Sequence, residues 1–285
     1  MIKVIKYFFQ SLIIYFFFLV GRILGLKLSR IFFSYFFLYF AKIFKSKNII
    51  DKNIENFSDK ISMTQKKEII SNMWKNYGMT FIEYAFLNYF RNKNSHINIK
   101  GEAELNIIEK GNKPVIFVSG HFANFELMSM EITKKNIKLA TIYRPLNNFF
   151  LNPFMEFLRR KYVCRNQIKK GINGVRESIE YIKKGFSIAL MIDQRVSEGE
   201  KVNFFSKSAL TTTLPAQLAL KYNLSIIPVF IERTKENNFE ITFHENINPT
   251  EFKSKIDLTT KLNSILEQMI QKNPNQWIWT HNRWK

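Results

Sequence analysis

A chain of 285 residues with a single cysteine has room for a substantial core, but none for a disulfide framework or a cysteine-built zinc site. Its 43 Lys and Arg outnumber 23 Asp and Glu, leaving a formal charge of +20 that attracts polyanions: nucleic acid, acidic lipid headgroups or an acidic carrier protein. The first third favours lipid. No acidic residue occurs before Asp51, while Lys3, Lys6, Arg22, Lys27, Arg30, Lys42, Lys45 and Lys47 punctuate a very aromatic sequence. Tyr7 to Val20 is almost wholly apolar, and extended to Leu26 it reaches the length of roughly 20 residues that a membrane span needs, with Arg22 snorkelling to the interface. No small-residue cleavage site follows, so an anchor is expected rather than a removed signal peptide. A second aromatic stretch, Ile31 to Phe44, reads as an interfacial or re-entrant helix. Basic residues are heavier after the first segment than before it, which places the rest of the chain in the cytoplasm. The polar break from Asp51 to Lys60 divides the chain into a membrane anchor and interfacial helix, 1–50, and a catalytic region, 51–285.

Beyond that break, Thr64 to Phe90 has helical periodicity with a wide apolar face. Ile97 to Lys100 reads as a strand, Glu102 to Glu109 as a helix, and Val115 to Val118 as a strand buried on both faces. Lys138 to Tyr143 is the next strand, followed by helices over Asn148 to Arg160 and Gly174 to Lys184. Ser187 to Ile192 is again a buried strand. A polar excursion runs from Asp193 to Ser208, then a helix from Thr213 to Tyr222 with Thr213 as its cap and Pro215 in its first turn. Ser225 to Ile231 is a strand, Phe239 to Phe243 an edge strand, and Ile256 to Gln271 the last helix. Strands alternating with helices imply an α/β fold with a mostly parallel central sheet flanked by helices.

The chemistry gathers at strand ends. Ser119 and Gly120 close the buried run, so His121 falls at a carboxyl end, where open α/β sheets place their ligands, and Asn124 can cap the helix that follows. Five residues separate His121 from Glu126. On one regular helix they would point about 140° apart. With His121 in the loop before the helix, the chain can fold back and let the Glu126 carboxylate hold one imidazole tautomer, a base-and-orienter pair. A surface histidine beside a helix whose dipole Glu126 serves is the plainer alternative. Arg144 directly ends a strand, and Asp193, Gln194 and Arg195 follow another, so all can line one sheet edge. A guanidinium there suits phosphate, while Asp193 can pair with Arg144 or Arg195. Cys164, flanked by Val163 and Arg165, is structural. His96 is an ordinary surface residue and His244 an edge-strand one. Ser119 lacks the flanking glycines of a hydrolase elbow, and no Walker loop, dinucleotide fingerprint or His-Glu-x-x-His motif occurs.

SGHFANFE resembles the His-x4-Asp/Glu motif of the glycerolipid acyltransferase superfamily, in the form used by the late (lauroyl/myristoyl) acyltransferases of lipid A biosynthesis. The resemblance continues at IYRP (142–145), DQR (193–195), NFFSKSALTTTLPAQLAL (203–220), IIPVF (226–230) and the terminal WIWTHNRWK, over nearly the whole chain in order. Ser206 and Lys207 depart from it where a glycine is usual. It implies a glycerol-3-phosphate acyltransferase-like fold and transfer of a fatty acyl chain, from a thioester on acyl carrier protein, to a hydroxyl of a phosphorylated lipid A precursor at the inner membrane. His121 and Glu126 are then catalytic. Asn124, Tyr143, Arg144, Asp193, Gln194, Arg195, Thr212 and Thr213 bind substrate, with Arg144 and Arg195 on the phosphates and backbone N–H groups near Asn124 on the oxyanion. The carrier thiolate leaves readily, so no nucleophilic Ser or Cys, metal or bound cofactor is implied, nor a nucleic-acid partner. Two other readings stay open: acylation of another anionic membrane lipid, such as a phosphatidylinositol mannoside or a lysophospholipid, and a non-enzymatic basic membrane-binding protein in which His121 is incidental.

Overall fold

Long apolar and aromatic runs at the start of the chain form helix α1 (Ile2–Phe40), which doubles back at Gly25. There φ is 72° and ψ 166°, a conformation open to glycine and strained for any L side chain. Phe17 of the first arm therefore meets Phe33 and Phe36 of the second, with ring centroids 5.5 and 5.2 Å apart. The computed structural model describes residues 2–40, 47–111 and 113–285, so part of the expected interfacial stretch, 41–44, lies outside the described residues. Among these, α1 is the one helix long and apolar enough to cross a membrane. The polar break is itself helical: α2 (Lys47–Phe57) turns Ile50, Asn53 and Ile54 inward, because apolar residues four apart share a face whatever the polarity around them.

Helix α3 (Met63–Glu83) starts at a capping box in which Ser62 and Gln65 satisfy each other's backbone N–H groups. It packs on the second arm of α1 through Gly78, where a Cβ would lie 2.0 Å from the Phe33 carbonyl oxygen. The chain continues through α4 (Leu87–Asn92), β1 (Ile97–Lys100), α5 (Glu102–Gly111), β2 (Ile116–Ser119), α6 (Glu126–Lys134), β3 (Leu139–Tyr143), α7 (Asn152–Leu158), β4 (Asn166–Lys169), α8 (Ile172–Lys183) and β5 (Ser187–Met191). Then follow the hairpin β6 (Glu200–Phe204) and β7 (Lys207–Thr211), α9 (Leu214–Tyr222), β8 (Ile226–Arg233), β9 (Phe239–Phe243) and α10 (Lys255–Lys272).

Seven strands form one sheet in the order β1-β9-β8-β2-β5-β3-β4, parallel except where β8 meets β9. The mostly parallel sheet flanked by helices is thus as the sequence implies. Strand β9 is not an edge, because β1 pairs with its far side in parallel. The expected polar excursion contains the β6–β7 hairpin. Its turn places Phe205 and Ser206 at φ 51° and 59°, the two left-handed residues of a tight hairpin, which is where the usual glycine is missed. Phe204 is fully buried and Phe205 stacks edge-on to Phe57 of α2 at 5.0 Å.

One apolar core lies on each face of the sheet, with α2, α8, α9 and α10 on one side and α1, α5 and α6 on the other. Between sheet and helices runs a buried ionic network. Glu83 of α3 pairs with Arg30 of α1 and Arg233 of β8, and accepts a hydrogen bond from the Asn124 side chain at 2.9 Å. Burial pushes the Glu83 carboxyl up, and the two guanidiniums more than offset it, holding it below the usual carboxylate range. His96, expected at the surface, is 4 % exposed beneath Phe90, its ring centroid 4.8 Å away. Cys164 is buried, its thiol pushed up to about 11 chiefly by that burial.

Candidate active site

The loop between β2 and α6 carries His121. Its backbone N–H donates to Asp193 Oδ2 at 2.7 Å, and its ring Nδ1 lies 2.7 Å from Asp193 Oδ1. Asp193 follows β5 and is fully buried. Burial raises its carboxyl, but the charge and hydrogen bonds of His121, with the Trp277 indole N–H at 2.9 Å, outweigh it and hold it below the ordinary range. An ionised carboxylate only accepts, so Nδ1 carries the proton and the Nε2 lone pair is left over. Nε2 has no partner among the described residues, and His121 lines a cleft of about 540 Å³.

This corrects the expected pairing. Glu126 also lines the cleft, but its carboxylate accepts from Arg159 Nε at 2.7 Å and from the Tyr84 hydroxyl at 2.6 Å, while the imidazole is oriented by Asp193. The helix begins at Glu126 itself, and the ring of Phe125, 4.6 Å from the imidazole, stands beside His121 instead. Nor does Asn124 cap α6. Its side chain turns inward to Glu83, which leaves the backbone N–H groups of Phe125 and Glu126 without acceptors among the described residues. The loop is held from behind. Ala123 sits at φ 42°, a conformation costing roughly 1 kcal/mol or more for alanine, and is pinned through its carbonyl by Thr80 at 3.0 Å and through its N–H by the Gln276 carbonyl at 3.2 Å.

The same cleft brings together Tyr143, Arg144, Gln194 and Thr212 of the expected set. Tyr143 donates its phenol to Glu156. Arg144 is exposed and has no ion pair among the described residues. Lys170, which sequence reasoning missed, lines the cleft beside it: β3 and β4 pair Tyr143 with Lys169, so the next residues on each strand are Arg144 and Lys170. Burial lowers the Lys170 ammonium, and Arg144 lowers it further against Glu198. Four expected residues fall outside the lining: Asn124, already placed against Glu83, and three more. Asp193 stands behind His121, paired with neither Arg144 nor Arg195. Arg195 directs Nε to the Lys285 carbonyl at 3.0 Å. Thr213 begins α9 without a side-chain cap, its hydroxyl accepting from Gln217.

Across residues 1–285 the sequence matches the model of the bacterial lipid A biosynthesis acyltransferases. The chain belongs to that family. It is 23% identical over 252 residues, 85% of this chain and 79% of the relative, to the lipid A biosynthesis palmitoleoyltransferase of Escherichia coli K12, and to the same extent to a lipid A biosynthesis acyltransferase of Shigella flexneri. Among solved structures it is similar to the 1-acyl-sn-glycerophosphate acyltransferase PlsC of Thermotoga maritima, at 13% identity and a TM-score of 0.42, covering 95% of this chain and 99% of that one. The family makes the protein an acyltransferase acting on lipid, and its long apolar α1 a candidate membrane anchor.

Proposed function

We propose that this acyltransferase moves a fatty acyl chain from a thioester on acyl carrier protein to a hydroxyl of a phosphorylated lipid A precursor, at the cytoplasmic side of the inner membrane. The observation that carries the reading is the His121 imidazole, fixed through Nδ1 by a buried carboxylate while Nε2 is left unpaired on the wall of a cleft that also holds Arg144 and Lys170. Nε2 takes the acceptor hydroxyl's proton as its oxygen attacks the thioester carbonyl carbon. The C–S bond then breaks, and the departing sulfur receives the proton from the imidazolium. Asp193 keeps the ring in the right tautomer and balances its charge. The unpaired N–H groups of Phe125 and Glu126, at the start of α6, suit the oxyanion. Glu126 with Arg159 and Tyr84 shapes the cleft wall, and Arg144 and Lys170, two neighbouring cations, suit the acceptor's phosphates, with Gln194 and Thr212 as polar neighbours.

Access from a lipid surface fits the exposed apolar side chains. Phe8, Phe9, Phe16 and Leu19 of α1 are exposed, and the rim continues over Phe149 and Phe157 of the catalytic region. Tyr7 and Phe149 are in contact, 6.0 Å between centroids, and the same loop supplies Pro145, Leu146 and Asn147 to the cleft. The basic surface matches a strongly acidic acyl carrier protein.

The test is a mass-spectrometric assay in detergent–lipid micelles with acyl-loaded carrier protein and, in separate reactions, a phosphorylated lipid A precursor, a lysophospholipid and a phosphatidylinositol mannoside. The expected result is one acyl mass gained by the lipid A precursor alone. Gain on another lipid instead rejects the acceptor. Undiminished turnover by folded His121→Ala protein rejects the mechanism.

A further inference from the structure

The terminal run WIWTHNRWK (277–285) has no part in the chemistry so far, yet it is wrapped through the interior behind the cleft. Trp277 and Trp279 are 1 % and 0 % exposed, packed edge to face at 4.7 Å. Asn53 of α2 donates to the carbonyls of Trp279 and His281 at 2.7 and 2.6 Å. Arg283, also fully buried, donates to the Leu210 carbonyl and the Thr211 hydroxyl of β7, with its guanidinium 4.6 Å from the Phe204 ring centroid. Three contacts reach the loop after β5, one of them the Arg195 Nε bond to the Lys285 carbonyl. The Trp277 indole N–H meets Asp193 Oδ2, and His281 Nε2 accepts the backbone N–H of Arg195 at 3.0 Å.

We infer that this tail is a clasp on the catalytic carboxylate, with Trp277 a positioning residue that acts through Asp193 on His121. The inference rests on the reading that His121 and Asp193 carry the acyl transfer. Asp193 Oδ1 faces the imidazole, while Oδ2 is held between the His121 backbone N–H and the Trp277 indole N–H. A carboxylate held at Oδ2 by one backbone donor, and at Oδ1 only by the ring it must orient, can tilt together with that ring. A second donor on the same oxygen, on a ring locked in a packed core, fixes the plane and hence the direction in which Nε2 presents its lone pair. His281 sets the turn from the other side. As an acceptor it must stay neutral, and burial, the largest influence on it, pushes the imidazole down to about 4. Without the tail, Asp193 loses both its second anchor and the contact that shapes the backbone two residues on.

The test replaces the Trp277 indole by the benzothiophene of benzothienylalanine, which keeps the bicyclic shape and lacks the N–H, with Trp277→Phe as a genetically encoded second variant. In the full-length protein, kcat falls about tenfold to a hundredfold, the range that one hydrogen bond to a charged group commands, while KM for both substrates stays within about twofold. The acid limb of the kcat/KM profile moves to higher pH, since a carboxylate relieved of one donor stabilises the imidazolium of the general base more strongly. The downfield proton resonance of the His121 Nδ1–H changes position. That last readout needs no turnover: a shifted resonance in a protein that acylates no lipid supports the clasp while sinking the proposed function. Unchanged kcat, acid limb and resonance in the benzothiophene variant, whether or not its melting temperature drops, overturn the clasp.

Discussion

His121 and Asp193 are 72 residues apart in sequence and 2.7 Å apart in space because β2 and β5 are parallel neighbours with Ser119 opposite Met191. Two further steps along each strand reach 121 and 193, so the register of two buried strands sets the pair. Asp193→Asn keeps the shape but turns an acceptor that meets three donors into an amide that accepts on one side only. Turnover drops by about a thousandfold, comparable to His121→Ala and within the usual range for a disabled acid–base group. Single-turnover rates on saturating donor and acceptor read this directly, and a drop under tenfold speaks against Asp193 as the orienter.

Glu126 makes the opposite prediction. Its charge is spent on Arg159 and Tyr84, three residues that are all at least half buried. Glu126→Gln strands the Arg159 guanidinium in the wall of the cleft, at a cost of about 3 kcal/mol in unfolding free energy for a broken buried pair. Turnover of the protein that stays folded falls much less than in Asp193→Asn. Denaturant unfolding alongside kcat separates the two. A Glu126→Gln enzyme that is fully stable yet as dead as His121→Ala would restore Glu126 to the chemistry.

Much of the architecture was legible because apolar runs and helical periodicity are local properties: β2, β3, β5, β8 and α10 all fall within a residue or two of where hydrophobic pattern puts them. The carboxylate partner was not, because choosing between Glu126 and Asp193 requires strand order, and sequence separation favours the wrong one. Lys170 was hidden for the same reason: β4 (Asn166–Lys169) reads NQIK, too polar to announce a strand, yet its register with β3 delivers the second cation. The tail's aromatic and basic residues fit a membrane interface and a cover over the sheet equally well, and the burial of Trp277, Trp279 and Arg283 agrees with the cover. A composition cannot say which side of a fold it ends on.

Two histidines, His96 buried and His281 half-buried, give the stability a pH signature. Burial first, then neighbouring cations for His96, press both His96 and His281 down to about 4 from an ordinary value near 6.5. The folded state therefore binds fewer protons than the unfolded chain between those values, so stability is full above about pH 6.5 and is lost as pH falls towards 4. Asp193, held below the ordinary carboxylate range, adds its loss only below about pH 4, a separate window. His96→Phe, which also removes two ring nitrogens without partners among the described residues, shrinks the loss of unfolding free energy between pH 7 and 4.5 by about 2 kcal/mol. Urea titrations at the two pH values measure it. Equal slopes in variant and parent contradict the burial of a neutral imidazole.

Arg144 and Lys170 follow adjacent strands at the same level, and although Glu198 offsets part of the charge at Lys170, the two cations repel each other and favour an anion between them. A phosphorylated acceptor supplies that anion in ground state and transition state alike, so its removal belongs in KM rather than kcat. Arg144→Ala and Lys170→Ala each raise KM for the phosphorylated acceptor about tenfold at low salt, leaving kcat within about threefold, and the double variant exceeds either. Part of the attraction is long-range, so raising salt from about 50 mM to 500 mM raises the parent's KM and changes the double variant's little. An acceptor stripped of its phosphates closes the cycle: it is a poor substrate for the parent, and the two substitutions no longer matter to it. If either variant lowers kcat on the phosphorylated and dephosphorylated acceptor alike, the cations act on the reacting centre and not on the phosphates.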